Sequence, residues 1–209
     1  MRNPTISPEL VVSAFLFALA AAITPGPNNV FLMSSGANFG IRLSLPLLAG
    51  VCIGFPLMFL AIGLGLGSLF QQFPTIHLVI TVIGVVYLTV LAWKIANAGA
   101  PEEKQNTQPI TFLQSAGFQW VNPKAWIMAT GAIAAFTRPA DDMHWQVIQL
   151  TLVFMLAAIP SAWTWLLFGV GLQKLLKDPR NLRIFNLSMA MLLILSMVPV
   201  VLDLVDQLS

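Results

Sequence analysis

Six stretches of this chain run apolar for about twenty residues or longer: Leu10–Met33, Leu43–Phe70, Ile76–Ile95, Phe112–Phe136, Val147–Leu172 and Phe185–Leu204. A helix needs about 20 such residues to cross the roughly 30 Å hydrocarbon core of a bilayer. With 57% of residues hydrophobic and 9% charged, nothing is left over for a separate soluble domain. The sequence therefore predicts one all-α integral membrane domain over residues 1–209, with six transmembrane helices. A net charge of +2, without basic residues clustered among aromatics, excludes a nucleic-acid partner. Cys52 is the single cysteine, so no intramolecular disulfide forms. Arg2 and the small residues Ala18-Leu19-Ala20 resemble the outline of a secretory signal, but Glu9 abuts the run and its apolar character continues to Met33. The first run is predicted to be an uncleaved span.

That first run carries Thr24-Pro25-Gly26-Pro27-Asn28-Asn29 in its middle. Proline has no N–H, and its ring collides with the carbonyl four residues back, so Pro25 and Pro27 inside one helix would free the carbonyls of Ala21 and Ile23. Proline is tolerated in a first turn, and Thr24 as N-cap with Pro25 at the first helical position would start a new half-helix. A break at membrane depth requires protein or a wet cavity to satisfy the open backbone, which makes it a candidate site. The fourth run repeats the pattern with Asn122-Pro123-Lys124.

Charge placement predicts the orientation. Arg42, then Lys94 and Lys104, then Lys174, Lys177, Arg180 and Arg183 fall on one side, against Arg2 and Arg138 on the other. Short loops rich in Lys and Arg stay cytoplasmic, so both termini are predicted to face outward. The polar stretch Asn97–Thr111 reads as a linker, residues 98–111, between a first repeat of about residues 1–97 and a second of about residues 112–209. Three spans per half invert the second half relative to the first. Interrupted spans at matching positions of two inverted halves point to a transporter's midplane binding site. Gly50 and Gly54, four apart, are predicted to let a neighbouring helix approach closely, and Gly63, Gly65 and Gly67 to loosen the end of the second span.

Thr24-Pro25-Gly26-Pro27-Asn28, Gly36 and Gly40, Gly50 with Gly54, Tyr87-Leu88, Lys94, Phe112, Gly117-Phe118 and Asn122-Pro123-Lys124 together resemble the LysE/RhtB amino-acid exporter superfamily. The likeness covers nearly the whole chain. Many members carry Asn-x-x-Asn-Pro-Lys in the fourth span. Here Gln119 stands at the first of those positions, a variant similar to the cysteine/O-acetylserine exporter branch. The resemblance implies export of a small amino acid or derivative (cysteine/O-acetylserine, homoserine/threonine or similar) across a bacterial inner membrane, linked to the proton-motive force and needing no cofactor.

The residues themselves fit a carboxylate-bearing substrate. Two half-helices starting at Pro25 and Pro123 would turn their partially positive ends toward a common centre, and Lys124 adds a full charge where charge is costly. The predicted substrate-binding set is Thr24, Pro25, Gly26, Pro27, Asn28, Asn29, Gln119, Asn122, Pro123 and Lys124. For Asn28, Asn29 and Gln119, bonding between helices is an equal reading, and Lys124 could instead snorkel to the interface. No carboxylate lies near the centre, which favours a neutral amino acid; its ammonium would meet the freed carbonyls of Ala21, Ile23 or Gln119. Lys124 is the first candidate proton carrier, followed by Asp203 and Glu9. No metal site is predicted, and a homo-oligomer is left open. A membrane-embedded hydrolase is the main alternative among enzymes, yet His77 and His144 flank loops and no H-E-x-x-H or G-x-S-x-G occurs. A non-transporting assembly subunit is the other alternative.

Overall fold

The computed structural model describes residues 7–66, 72, 74–97, 108–137, 143–173 and 175–208. Arg2, Arg138, Lys104, Lys174 and most of the linker lie outside the described residues. Among the described residues the regular structure is entirely helical: α1 Pro8–Ile23, α2 Pro27–Ala61, α3 Pro74–Ala96, α4 Phe112–Phe118, α5 Pro123–Phe136, α6 Met143–Leu172 and α7 Pro179–Leu208. A π-type turn, Ile62–Leu66, extends α2, and short 3₁₀ turns, Gln119–Val121 and Leu175–Lys177, precede α5 and α7. Pro27–Leu66, Met143–Leu172 and Pro179–Val198 are long and apolar enough to cross a membrane, while Pro8–Ile23 and Thr81–Ala96 are apolar but shorter. A multi-pass membrane protein follows from these helices.

The helix ends have local causes. Ser7 caps α1 by accepting from Leu10 N–H at 3.4 Å, ahead of Pro8 in the first turn. Thr111 and Gln114 form a capping box at α4: Gln114 N–H donates to the Thr111 hydroxyl at 3.3 Å, and Thr111 N–H donates to Gln114 Oε1 at 3.0 Å.

Two details of the first half differ from the sequence-based expectation. The cap after the first break is Gly26, not Thr24, and Pro27, not Pro25, is the first helical residue; Thr24 instead closes α1 as its C-cap. The physical reason is that the Thr24 hydroxyl donates back to Ala21 O at 2.7 Å, so it stays with the helix that ends there. The loop expected between Met33 and Leu43 is also absent: helix runs on either side of a single reversal at Gly40, with φ 76° and ψ −175°. That φ lies in the left-handed region that glycine adopts without a side-chain penalty. Ser35 and Ser44 sit nine residues apart, which is about 13.5 Å along a straight helix, yet their hydroxyls are 2.7 Å apart. Hence α2 is a hairpin of two arms, one before and one after Gly40.

Apolar packing divides into two clusters. One gathers Phe31 and Leu32 from the first arm, Leu47 and Val51 from the second, Leu88 and Leu91 of α3, and Leu193 of α7. The other gathers Ala14 and Ala18 of α1, Phe55 and Phe59 of α2, Ala125 and Ala129 of α5, and Leu150 and Phe154 of α6. Small residues set the closest crossings. A Cβ on Gly50 would lie 2.6 Å from Phe112 O, and one on Gly54 2.6 Å from Ala116 Cα, so α4 lies directly on the second arm. Gly36 and Gly169 likewise bring the first arm and α6 into backbone contact, Gly36 against Leu166 and Gly169 against Met33. At the far end of the second arm, Gly63 lies against Val147, and Gly65 takes φ 123° inside the π-type turn; Gly67 lies outside the described residues.

Candidate functional site

The site is built where α1 ends, α2 begins and the α4–α5 junction crosses them. Lys124, in the first turn of α5, reaches back over Gly26 and donates through Nζ to Thr24 O at 2.7 Å, to Thr24 Oγ1 at 2.8 Å and to Pro25 O at 3.4 Å. An ammonium has three protons, and all three find acceptors on this one short segment. The crossing is close: a Cβ at Gly26 would lie 2.8 Å from Lys124 Cδ, so a larger residue there requires the lysine stem to shift. Lys124 is thus held against the break between α1 and α2. The side chain of Asn29 closes the same break from the other direction, donating to Ala22 O at 2.8 Å and Thr24 O at 2.7 Å.

Asn28 and Gln119 exchange amide bonds between the start of α2 and the α4–α5 junction, at 2.8 and 3.0 Å. Gln119 Nε2 also donates to Ser115 O at 3.0 Å, so both its donor protons are used within the protein. Gln119 is fully buried and acts as a brace behind the site. Carbonyls expected to be free for a substrate ammonium are occupied: Ala21 O by the Thr24 hydroxyl, Ile23 O by Trp165 Nε1 at 3.2 Å and Gln119 O by Asn122 N–H at 3.3 Å. Asn122 is the N-cap of α5, with Pro123 at the first helical position, but its side chain makes no capping bond.

Two cavities meet at this segment. One, of about 60 Å³, lies toward α1 and α6 and is bounded by Ala18, Ala22, Asn29, Phe55, Phe154 and Ser161 among others. A single water needs roughly 10–15 Å³ of such space. The second, of about 290 Å³, opens on the other side toward Leu88 of α3 and Ser196 and Met197 of α7. Gly26, Pro27, Asn122 and Lys124 line both, and Pro25 and Pro123 line the second. Thr24 and Gln119 line neither. The first turns of α2 and α5, both with partially positive ends, thus face a common space that also holds Lys124. Among the described residues no Asp or Glu lines either cavity.

The remaining candidates sit apart. Glu9 is exposed in the first turn of α1 and lines neither cavity. The side chain of Asp203 lies outside the described residues. Residues that the sequence did not single out include Ser161 and Phe154 of α6 and Ser196 of α7. They stand inside uninterrupted apolar runs, where nothing separates a cavity wall from ordinary packing.

The family model described as LysE type translocator matches residues 19–203. The cysteine/O-acetylserine efflux proteins of Escherichia coli O1:K1 and of Salmonella paratyphi A are 31% and 32% identical over 191 residues, covering 90% of this chain and 96% of each relative. That of Salmonella typhi is 32% identical over the same span. No solved structure matches. The chain belongs to the LysE-type translocator family, and the relatives it matches are efflux proteins and not enzymes.

Proposed function

We propose that this protein is a secondary exporter of small neutral amino acids or their derivatives, cysteine and O-acetylserine foremost, driven by the proton-motive force across a bacterial inner membrane. The observation that carries the reading is the Lys124 ammonium, held on backbone oxygens of Thr24 and Pro25 between two cavities. Those oxygens accept from the ammonium in this structure. A substrate carboxylate is a stronger, charge-assisted partner, and its arrival releases Lys124 from Thr24. Because Lys124 and Gly26 line both cavities, releasing that contact joins the space on the two sides. Pro25, Gly26, Pro27 and Pro123 shape the helix starts around the carboxylate, Asn29 holds the break, and Asn28 with Gln119 ties the halves together.

The six-span, inverted arrangement follows from reading α1 with the first arm of α2 as span one, interrupted at Thr24–Gly26. The second arm is span two, α3 is span three, α4 with α5 is span four, interrupted at Asn122, and α6 and α7 are spans five and six. Exchanging the halves then exchanges packing partners: α1 lies on α6 as α4 lies on the second arm of α2, and α3 lies on α7. Both termini face the periplasm by the distribution of Lys and Arg. Lys124 carries the coupling proton in this scheme, with Asp203 and Glu9 next in order.

Reconstituted vesicles loaded with cysteine, O-acetylserine, homoserine, threonine or lysine test the proposal, with and without an imposed pH gradient. The neutral compounds should move and respond to the gradient, with lysine excluded. Absence of flux for every amino acid would sink the exporter reading; flux indifferent to pH would sink its proton coupling.

A further inference from the structure

Buried polar atoms without a hydrogen-bond partner are rare in folded proteins, and each one calls for a water, an ion or a ligand. Asn122 Oδ1 is such an atom. The residue is 2% exposed, and it lines both cavities. An asparagine at a helix N-cap ordinarily turns its oxygen onto an N–H of the first turn. Here the Ala125 and Trp126 N–H groups donate to the Asn122 backbone carbonyl, at 3.0 and 3.3 Å, and the side chain makes no capping bond. Its oxygen therefore bonds to nothing in its own helix, while the residue borders both cavities.

We propose that Asn122 Oδ1 accepts a hydrogen bond from the ammonium group of the substrate, so that Asn122 and Lys124 hold the two ends of one zwitterion. This inference rests on the exporter reading and adds the second half of substrate recognition. An amide oxygen has no proton to offer a carboxylate, so its partner is a donor. The other acceptors near the break are already engaged: Ala21 O with Thr24, Ile23 O with Trp165 and Gln119 O with Asn122 N–H. Among the described residues no acid lines either cavity, and Asn122 Oδ1 is the buried side-chain acceptor that lacks a donor. Lys124, two residues on in the same first turn, repels an ammonium and attracts a carboxylate, which fixes the direction in which the zwitterion lies. Apolar walls from Ala18, Ala22, Val51, Phe55 and Phe154 then leave room for a small uncharged side chain. A second cationic group on the substrate would find no counter-charge.

The test compares L-cysteine with 3-mercaptopropionate, which keeps the thiol and carboxylate and lacks the ammonium. Each is measured as a competitor of labelled cysteine in vesicle counterflow by the full-length protein. Wild type should bind cysteine about 10- to 100-fold more tightly, the worth of one hydrogen bond to a charged group. Asn122→Leu should lose most of that ratio by weakening cysteine alone, while Asn122→Asp, which keeps an acceptor of the same shape, should retain it. Equal weakening of both compounds in Asn122→Leu, or an undiminished ratio there, would overturn the assignment. Should Asn122→Leu fail to insert, the other two proteins decide: a wild type that does not distinguish the compounds, or an Asn122→Asp variant that no longer does, overturns it. A wild type that transports other amino acids normally but shows no preference for the ammonium refutes this inference alone. One that binds no amino acid removes the exporter reading as well.

Discussion

Replacing Gly26 by alanine places a single methyl group where Lys124 crosses the break. The new Cβ would lie 2.8 Å from Lys124 Cδ and 3.0 Å from Nζ, whereas carbon atoms in contact sit about 3.5–4.0 Å apart. The lysine stem must therefore retreat by roughly 0.7 Å or more. Backbone strain is not involved, because Gly26 has φ −173° and ψ 177°, an extended conformation that alanine adopts. Nor is a side-chain cap lost, so stability should change by no more than about 1 kcal/mol. What moves is the ammonium. Its bonds of 2.7 and 2.8 Å to Thr24 would stretch past the limit of about 3.2 Å for a good N–H···O bond. A hydrogen bond to a charged group is worth about 1.5–3 kcal/mol, so a misplaced ammonium should slow transport about 10- to 100-fold. Counterflow in reconstituted vesicles gives the rate and KM, and thermal unfolding in detergent gives stability. A Gly26→Ala protein with wild-type stability, rate and KM would refute the claim that the position of Lys124 is set by Gly26 and matters for transport.

Three further outcomes are expected. A reporter active only in the cytoplasm, fused after Ser209, should stay silent, and activity there would reverse the orientation drawn from the basic loops. Replacing Pro25 and Pro27 together by alanine should preserve insertion and abolish efflux, since the chain between Ile23 and Asn28 can then continue as helix; a double variant that inserts and exports at the wild-type rate would make the break incidental. Gly54→Ala should destabilise by about 1–3 kcal/mol, because its Cβ would lie 2.6 Å from Ala116 Cα, a backbone atom that moves only with α4; an unchanged melting temperature would contradict that packing.

Much of this was legible in the sequence for simple reasons. Long apolar runs have few ways to satisfy their backbone, so the all-helical membrane class follows from composition. The motif around Pro25 and Asn122-Pro123-Lys124 marks the family, because prolines and amides in such runs serve no packing purpose. The exact cap was not legible. Thr24 and Gly26 are both acceptable N-caps in isolation, and the Thr24 hydroxyl turns to Ala21 while Lys124 passes closely over Gly26. The reversal at Gly40 was hidden too, since Gly36 and Gly40 look alike in sequence while only Gly40 takes a positive φ. The fate of the open carbonyls depended on Trp165 and Asn29, whose reach is set by the tertiary fold and not by spacing. For the same reason the unpartnered oxygen of Asn122 appears only in three dimensions.

The central claim is that the Lys124 ammonium receives the substrate carboxylate and couples its movement to protons. Lys124→Met removes the charge while making the span more apolar, and Lys124→Arg keeps a charge that is effectively never deprotonated. The decisive measurement is labelled-cysteine transport by both variants in vesicles, first as exchange and then against an imposed pH gradient. Lys124→Met should do neither, and Lys124→Arg should exchange substrate without accumulating it under the gradient. Wild-type exchange by Lys124→Met would place the carboxylate elsewhere, and gradient-driven accumulation by Lys124→Arg would remove Lys124 as the proton carrier.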